Sequence, residues 1–173
     1  MDHEREAPLR VTVVCSGNIC RSPIGEYVLR DAVERAGLEG RVVVDSAGVG
    51  AWHVGQGADR RSVRVLADHG IDATDHEVQQ ITRHWFGGPD EPDLLLAMDG
   101  SHHADLRRLA PHAEVRMYRE FDPALAALPR DAVDLDVPDP YYGDLADFEE
   151  VYAQIAAATP GVVAHVRELL GDS

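Results

Sequence analysis

Three stretches of the chain are built on short apolar runs: Val11-Thr12-Val13-Val14, Arg41-Val42-Val43-Val44-Asp45-Ser46 and Asp93-Leu94-Leu95-Leu96-Ala97-Met98-Asp99. Short continuous runs of this kind are the pattern of strands covered on both faces. The first strand is predicted over Arg10 to Val14. A fourth, weaker run is Glu114-Val115-Arg116-Met117-Tyr118. Between these runs the period changes. Ile24, Val28, Ala32 and Ala36, joined by Leu29 and Val33, recur at helical spacing after Ser22 and Pro23, and Gly37 ends the series. Asp59 opens a helix carrying Val63, Leu66 and Ala67, and Gly70 stops it. A third helix is predicted from Ser101 to Leu109. The segment from Asp72 to Ile81 has no clear period, and Arg83 to Pro92 reads as a loop.

A long loop from Phe121 to Gly143 is broken by Pro123, Pro129, Pro138 and Pro140. Loops of this length are uncommon in compact domains unless they serve a function. Phe148, Val151, Tyr152 and Ile155 then share one helical face. Pro160 is expected to break or kink that helix, before a second stripe of Val162, Val163, Val166, Leu169 and Leu170.

Short buried strands alternating with helices predict an α/β fold: a single-domain, doubly wound sheet of four parallel strands with helices on both faces. Residues 1–9 read as a disordered lead-in and 10–171 as the domain. In such sheets ligands bind beyond the carboxyl ends of the strands, at a topological switch point. The loop following the first strand lies at that end.

Composition narrows the function. The chain has 173 residues, enough for one sizeable core, with 45% apolar and 27% charged residues. No run is long enough to span a membrane. The first residues are polar and acidic with no apolar signal core, so the expected location is cytoplasmic. Net charge is −15, from 31 acidic and 16 basic residues, and every basic residue is arginine. The lack of lysine removes Schiff-base chemistry and the Walker phosphate-binding lysine. So acidic a body predicts no nucleic-acid and no membrane partner. Any anion site must be a local positive well.

One stretch has the makings of such a well: Val14-Cys15-Ser16-Gly17-Asn18-Ile19-Cys20-Arg21-Ser22-Pro23. A loop running into a helix N-terminus turns backbone N–H groups and the positive dipole end toward one point. Gly17 accepts positive φ freely and Asn18 is among the few other residues that tolerate it, so successive amides can form a nest. Arg21 offers a planar fork that matches two phosphate oxygens. A cation is disfavoured at a helix N-terminus, so its placement implies an anion nearby. In that field Cys15 is the expected nucleophile, with Ser22 donating to the sulfur. Cleaving a phosphate ester also needs a proton for the leaving group. Asp139, in Val137-Pro138-Asp139-Pro140-Tyr141-Tyr142, is the candidate acid, and its neighbouring tyrosines are candidates for the wall of an aromatic slot. Taken alone, the loop fits a phosphatase, an arsenate reductase or a non-catalytic phosphate-binding module. A reductase relay uses further cysteines downstream, and the chain has none after Cys20. Two cysteines five apart make neither a disulfide scaffold nor a zinc site.

These residues resemble the low molecular weight protein-tyrosine phosphatase family. The match comprises V-C-x-G-N-x-C-R-S-P, the distant Asp-Pro-Tyr-Tyr, and between them Ser46-Ala47-Gly48, Trp52-His53-Val54-Gly55, Asp59 and Arg61. It runs from about Val11 to Leu170. The resemblance implies hydrolysis of phosphotyrosine without metal or cofactor, through a phosphocysteine on Cys15. Asp139 would serve as acid and then base, and Arg21 with the amides of Ser16, Gly17, Asn18, Ile19, Cys20 and Ser22 would hold the oxygens. It further implies a network of Asn18, Ser22, Ser46 and His76 beneath the loop, and Trp52, His53, Tyr141 and Tyr142 at the mouth. Ile19 stands where relatives resembling arginine phosphatases tend to have threonine, which favours the tyrosine branch. Cys20 corresponds to the family's second loop cysteine, a reversible disulfide partner for Cys15. Expected partners are phosphotyrosine proteins and the product inorganic phosphate, with the chain a monomer or weak oligomer. Val49, in a place often taken by threonine, and a longer segment around Trp85-Phe86-Gly87-Gly88-Pro89 depart from the family pattern. Trp85 and Phe86 read as a hydrophobic plug.

Overall fold

Leu9, Val11, Val13 and Cys15 project to one side of the first strand while Thr12 and Val14 project to the other, and all six are buried. A strand of this composition has no face to offer water, and it occupies an interior position of the sheet. The computed structural model describes residues 7–129 and 133–172. Strands β1 (Leu9–Cys15), β2 (Val42–Gly48), β3 (Leu94–Ala97) and β4 (Glu114–Met117) form one parallel sheet in the order β2-β1-β3-β4. Val11 aligns with Val44 on one side and Leu94 on the other.

The chain also forms helices α1 (Arg21–Arg35), α2 (Arg60–Asp68), α3 (Gly100–Leu109), α4 (Pro123–Ala126) and α5 (Leu145–Leu169). One core layer joins Val11, Val13, Leu94 and Leu96 to Ile24 and Leu29 of α1 and to Phe148, Ile155 and Val162 of α5. The opposite layer joins Val14, Leu95 and Ala97 to Leu106 of α3, with Trp85 and Phe86 packed against it. The doubly wound sheet of four parallel strands is therefore the observed architecture. Among the described residues no helix is long and apolar enough to cross a membrane.

Three expectations change. Of the predicted lead-in, residues 1–6 lie outside the described residues, but Leu9 belongs to β1, where it pairs with Val42 and is buried as the first inward position of the strand. Pro160 does not divide the last helix: α5 runs continuously through it. Pro160 forfeits one backbone N–H, yet the flanking turn is held by the Thr159 hydroxyl, which bonds the Ile155 carbonyl at 2.7 Å and the buried Tyr118 hydroxyl at 2.7 Å. The loop from Phe121 contains the short α4, capped by Asp122. Farther along, Arg119 holds the carbonyls of Asp134 and Asp136, and the N–H of Val137 donates to Met98 O at 2.8 Å. The chain thereby crosses the carboxyl edge of the sheet beside β1 and β3.

Candidate active site

The segment Cys15–Arg21 wraps over the carboxyl end of β1, and α1 leaves it with Arg21 as its first residue. No side chain caps α1, and its first turn holds no acidic residue. Its initial amides are left for another acceptor. The loop's positive φ falls on Asn18 (φ 60°), while Gly17 does not adopt one. An asparagine in that conformation needs its surroundings to hold it, and they do. Asn18 Nδ2 donates to Ser22 Oγ at 2.8 Å and to Ser46 Oγ at 2.9 Å. Asn18 Oδ1 accepts from the backbone N–H of Gln79 at 3.1 Å. A backbone N–H can only donate, so the amide orientation is forced. The carbonyl of Asn18 is 3.0 Å from His76 Nε2, which therefore carries the proton.

This network has a direction. The Ser46 hydroxyl donates to the buried carboxylate of Glu26 and accepts from Asn18. Ser22 accepts from Asn18, so its own proton is free to point at Cys15 Sγ, 2.9 Å away. Glu26 is in turn paired with Arg30, and His76 Nδ1 lies 3.5 Å from it. At Gly48 a Cβ would lie 2.7 Å from Ser16 O, so only glycine lets the end of β2 approach the loop this closely.

A second chain of contacts orients Arg21, which is buried. Its Nη1 donates to Asp99 Oδ2 and to the Val137 carbonyl, both at 2.9 Å. Both Nη1 hydrogens are thereby used, leaving Nη2 and Nε for a bound oxyanion. The anion that offsets this cation at the helix start is Asp99. Burial alone would raise the Asp99 carboxyl. The Ser101 hydroxyl, the His102 amide, the imidazole and Arg21 outweigh that effect and hold it down at about 2. His102 is buried, with Nε2 2.8 Å from Ser16 Oγ and Nδ1 3.1 Å from Asp99 Oδ1. Burial, opposed by Asp99, pushes its pKa below the ordinary imidazole range.

The two cysteines are both free and buried but face different surroundings. Burial and then the Asp59 carboxylate push the Cys20 thiol far above its ordinary range, and that thiol donates to Asp59. Asp59 also takes the Arg61 guanidinium, whose Nη1 reaches Gly143 O at 2.8 Å and whose Nη2 reaches Tyr141 O at 2.9 Å. Arg61 further stacks over Phe148, 4.3 Å from its ring centre. The loop carrying Asp139 is thus tied to the loop carrying Cys15.

Cys15, Ser16, Gly17, Ile19, Cys20 and Arg21 line one cavity of about 130 Å³ together with Trp52, His53, Asp139 and Tyr141. Asp139 Oδ1 accepts from the Tyr141 N–H at 3.1 Å, and its Oδ2 lies 3.7 Å from Arg21 Nη2. Asn18, Ser22, Ser46 and His76 lie beneath this lining. Tyr142 stands outside it, 95% exposed, with its ring edge-on to Tyr141. Among the described residues no group of three or more His, Cys, Asp or Glu side chains converges as metal ligands would. Sequence reasoning passed over Glu26, Gln79, Asp99 and His102. Asp99 had one usable signal: it follows β3, the strand next to β1, and opens α3 at the switch point.

Along nearly its whole length the chain is similar to phosphatases. The chain belongs to the low molecular weight phosphotyrosine protein phosphatase family, whose model matches residues 10–170. It is 50% identical over 163 residues to the low molecular weight protein-tyrosine-phosphatase of Streptomyces coelicolor, covering 92% of this chain and 94% of that one. It is 47% identical over 165 residues to low molecular weight protein-tyrosine phosphatase A of Mycobacterium tuberculosis, covering 94% of each. The crystal structure of a protein tyrosine phosphatase from Entamoeba histolytica, with Hepes in its active site, superposes with a TM-score of 0.81 at 27% identity, covering 92% of this chain and 97% of that one. By family the protein is a protein-tyrosine phosphatase, a hydrolase acting on phosphoproteins.

Proposed function

We propose that the protein hydrolyses phosphotyrosine through a phosphocysteine on Cys15. The observation that carries this reading is that Cys15, Arg21 and Asp139, from opposite ends of the chain, line one cavity. The Cys15 sulfur attacks phosphorus, and the bond to the tyrosyl oxygen breaks as Asp139 gives that oxygen its proton. Water then attacks phosphorus, Asp139 takes the proton, and the sulfur leaves with the Ser22 hydroxyl as its donor at 2.9 Å. Arg21 Nη2 and Nε, with the loop amides, hold the three equatorial oxygens as charge shifts between entering and leaving atoms.

The half-buried Ile19 and the Tyr141 ring give the mouth an apolar wall suited to a phenyl group. Cys20 is the redox partner in this reading. Peroxide converts Cys15 to a sulfenic acid, which condenses with the Cys20 thiol to a disulfide and releases water. Cytoplasmic substrates and free phosphate as product complete the reading.

The test is turnover of p-nitrophenyl phosphate, phosphotyrosine and phosphoarginine in chelator. Wild type should cleave the two aryl esters far faster than phosphoarginine. Cys15→Ser should lose at least about 10⁴-fold in kcat, and acid quench of wild type should trap phosphate on Cys15. Undiminished turnover by Cys15→Ser would overturn the mechanism.

A further inference from the structure

The catalytic cavity, at about 130 Å³, is smaller than the ~300–1,000 Å³ of pockets that enclose a whole small ligand. It accommodates the phosphoryl group and part of a ring, so discrimination among phosphotyrosine proteins must draw on surface beyond it. Trp52 lines that cavity and also a second one of about 550 Å³. Val49, Ile81 and Leu109 supply apolar walls to the second cavity, which lies between the end of β2, the segment after His76 and the end of α3. The indole shared by the two is laid against Gly50. A Cβ there would sit 2.0 Å from Trp52 Cζ3, so the indole keeps this pose only beside a residue with no side chain.

The charges at this groove are unbalanced. Asp105, on one side, is paired with Arg108. Arg83, on another, is exposed and makes no side-chain ion pair with any described residue. In a chain of net charge −15, a groove with an unspent guanidinium is a local attraction for acid. By overall charge alone the chain would instead favour substrates with basic flanks.

Building on the phosphatase reading, we infer that this groove is a specificity subsite for the protein substrate: it receives a bulky apolar side chain one or two residues from the phosphotyrosine, with an acidic neighbour set against Arg83. Continuity through Trp52 fixes the occupant as the chain already engaged at Cys15. Successive Cα atoms are about 3.8 Å apart, so a flanking side chain reaches across the indole without the phosphate leaving its loop. One well-seated apolar side chain is worth on the order of ten-fold in kcat/KM.

The experiment measures kcat/KM for p-nitrophenyl phosphate and for matched phosphotyrosine peptides with leucine or serine at the flanking positions, each with glutamate or arginine beside it. Wild type should prefer leucine over serine by about ten-fold and glutamate over arginine by about three-fold. Leu109→Glu and Thr82→Trp, one placing charge on the wall and the other filling the groove, should bring the leucine preference to near unity. Both should keep p-nitrophenyl phosphate turnover within about two-fold. Arg83→Glu should reverse the charge preference alone. A wild type that cleaves p-nitrophenyl phosphate but ignores the flank overturns the subsite and leaves the phosphatase reading intact. A preference that survives both groove variants overturns it too. A wild type inert on every substrate overturns both.

Discussion

Asn18, Ser22, Ser46 and Glu26, at the floor of the catalytic cavity, are each no more than 3% exposed, whereas Trp52 and Tyr141 at its rim are 71% and 40% exposed. Every polar atom of the Asn18 side chain is bonded, to partners on α1, β2 and the segment after His76. At the rim, Asp139 keeps one carboxylate oxygen toward the cavity and is positioned through backbone carbonyls held by Arg61. The floor is thus part of the folded core, and its geometry is maintained by the same bonds that maintain the fold. The rim is attached to that core at few points, which suits groups that must meet substrates of varied shape. Damage to the floor should therefore appear in stability and activity together, and damage to the rim in activity alone.

The largest effect expected follows from Asn18→Ala. It takes away the donor to the hydroxyl oxygens of Ser22 and Ser46, strands the N–H of Gln79, and asks alanine to adopt φ 60°. Buried groups left without partners cost about 1–3 kcal/mol each, partly recovered by relaxation, so a net loss of about 2–4 kcal/mol is expected. At ~2–4 °C per kcal/mol for a chain of this size, Tm should fall by roughly 5–15 °C. The loop amides lose their common aim, and kcat should fall by about 10²- to 10³-fold. Calorimetry and steady-state kinetics check both. A loss of activity with Tm unchanged would break the identification of floor with core.

Asp139→Ala should do the opposite. Its side chain is 53% exposed, so Tm should move by no more than about 2 °C. Turnover of phosphotyrosine should fall by about 10²-fold for want of a proton donor. Esters of more acidic phenols, which leave without help, should lose about ten-fold or less. An equal loss on every leaving group would remove Asp139 from the acid role.

Arg61 sits where the two regions join, and Arg61→Met sharpens the boundary between them. It frees the carbonyls of Tyr141 and Gly143 and leaves Asp59 with only the backbone N–H of residue 61 and the Cys20 thiol. The expected loss in kcat is about ten-fold. It should largely vanish in an Asp139→Ala background, because the two act through one group. Additive losses would show that Arg61 acts elsewhere.

Much of this division could be read in the chain before folding. The loop from Cys15 to Arg21 was legible because a thiol, a residue tolerant of positive φ and a guanidinium crowd into a few positions with a helix start behind them. β1 and β3 were legible because they are buried on both faces, β2 by its β-branched run, and β4, where only Val115 is buried, gave a weaker signal. Leu9 was missed because it stands apart from the apolar run, behind Arg10. Pro160 misled because local propensity ignores what the Thr159 hydroxyl and tertiary packing supply. Glu26 and His102 stayed hidden for a common reason. Charged or titratable residues within helices usually face water, and nothing along the chain tells that these two turn inward toward Ser46 and Ser16.

Asp99 carries the smallest of the expected effects, and acid should expose it. Its folded carboxyl titrates at about 2, below the ~3.9 of an unfolded chain. As pH falls, the unfolded state takes up the proton first, so the stabilisation from Asp99 is fully present above about pH 4 and is lost by about pH 2. Its size is about 1–2 kcal/mol once partial exposure is allowed for. Asp99→Asn cannot titrate there. His102, beside it, is also shifted by burial, and its response would change when Asp99 is removed, so both chains should carry His102→Gln, which leaves the Ser101 hydroxyl, the backbone amide of residue 102 and Arg21 to hold Asp99 below its unfolded value. Urea midpoints measured from pH 5 down to pH 2 should then converge, with the Asp99 chain ahead at pH 5 and its lead shrinking between pH 4 and pH 2. Other lowered carboxylates such as Asp72 and Asp172 act equally in both chains and cancel in the difference. A lead that stays constant through that window would mean that Asp99 contributes shape rather than charge to the orientation of Arg21.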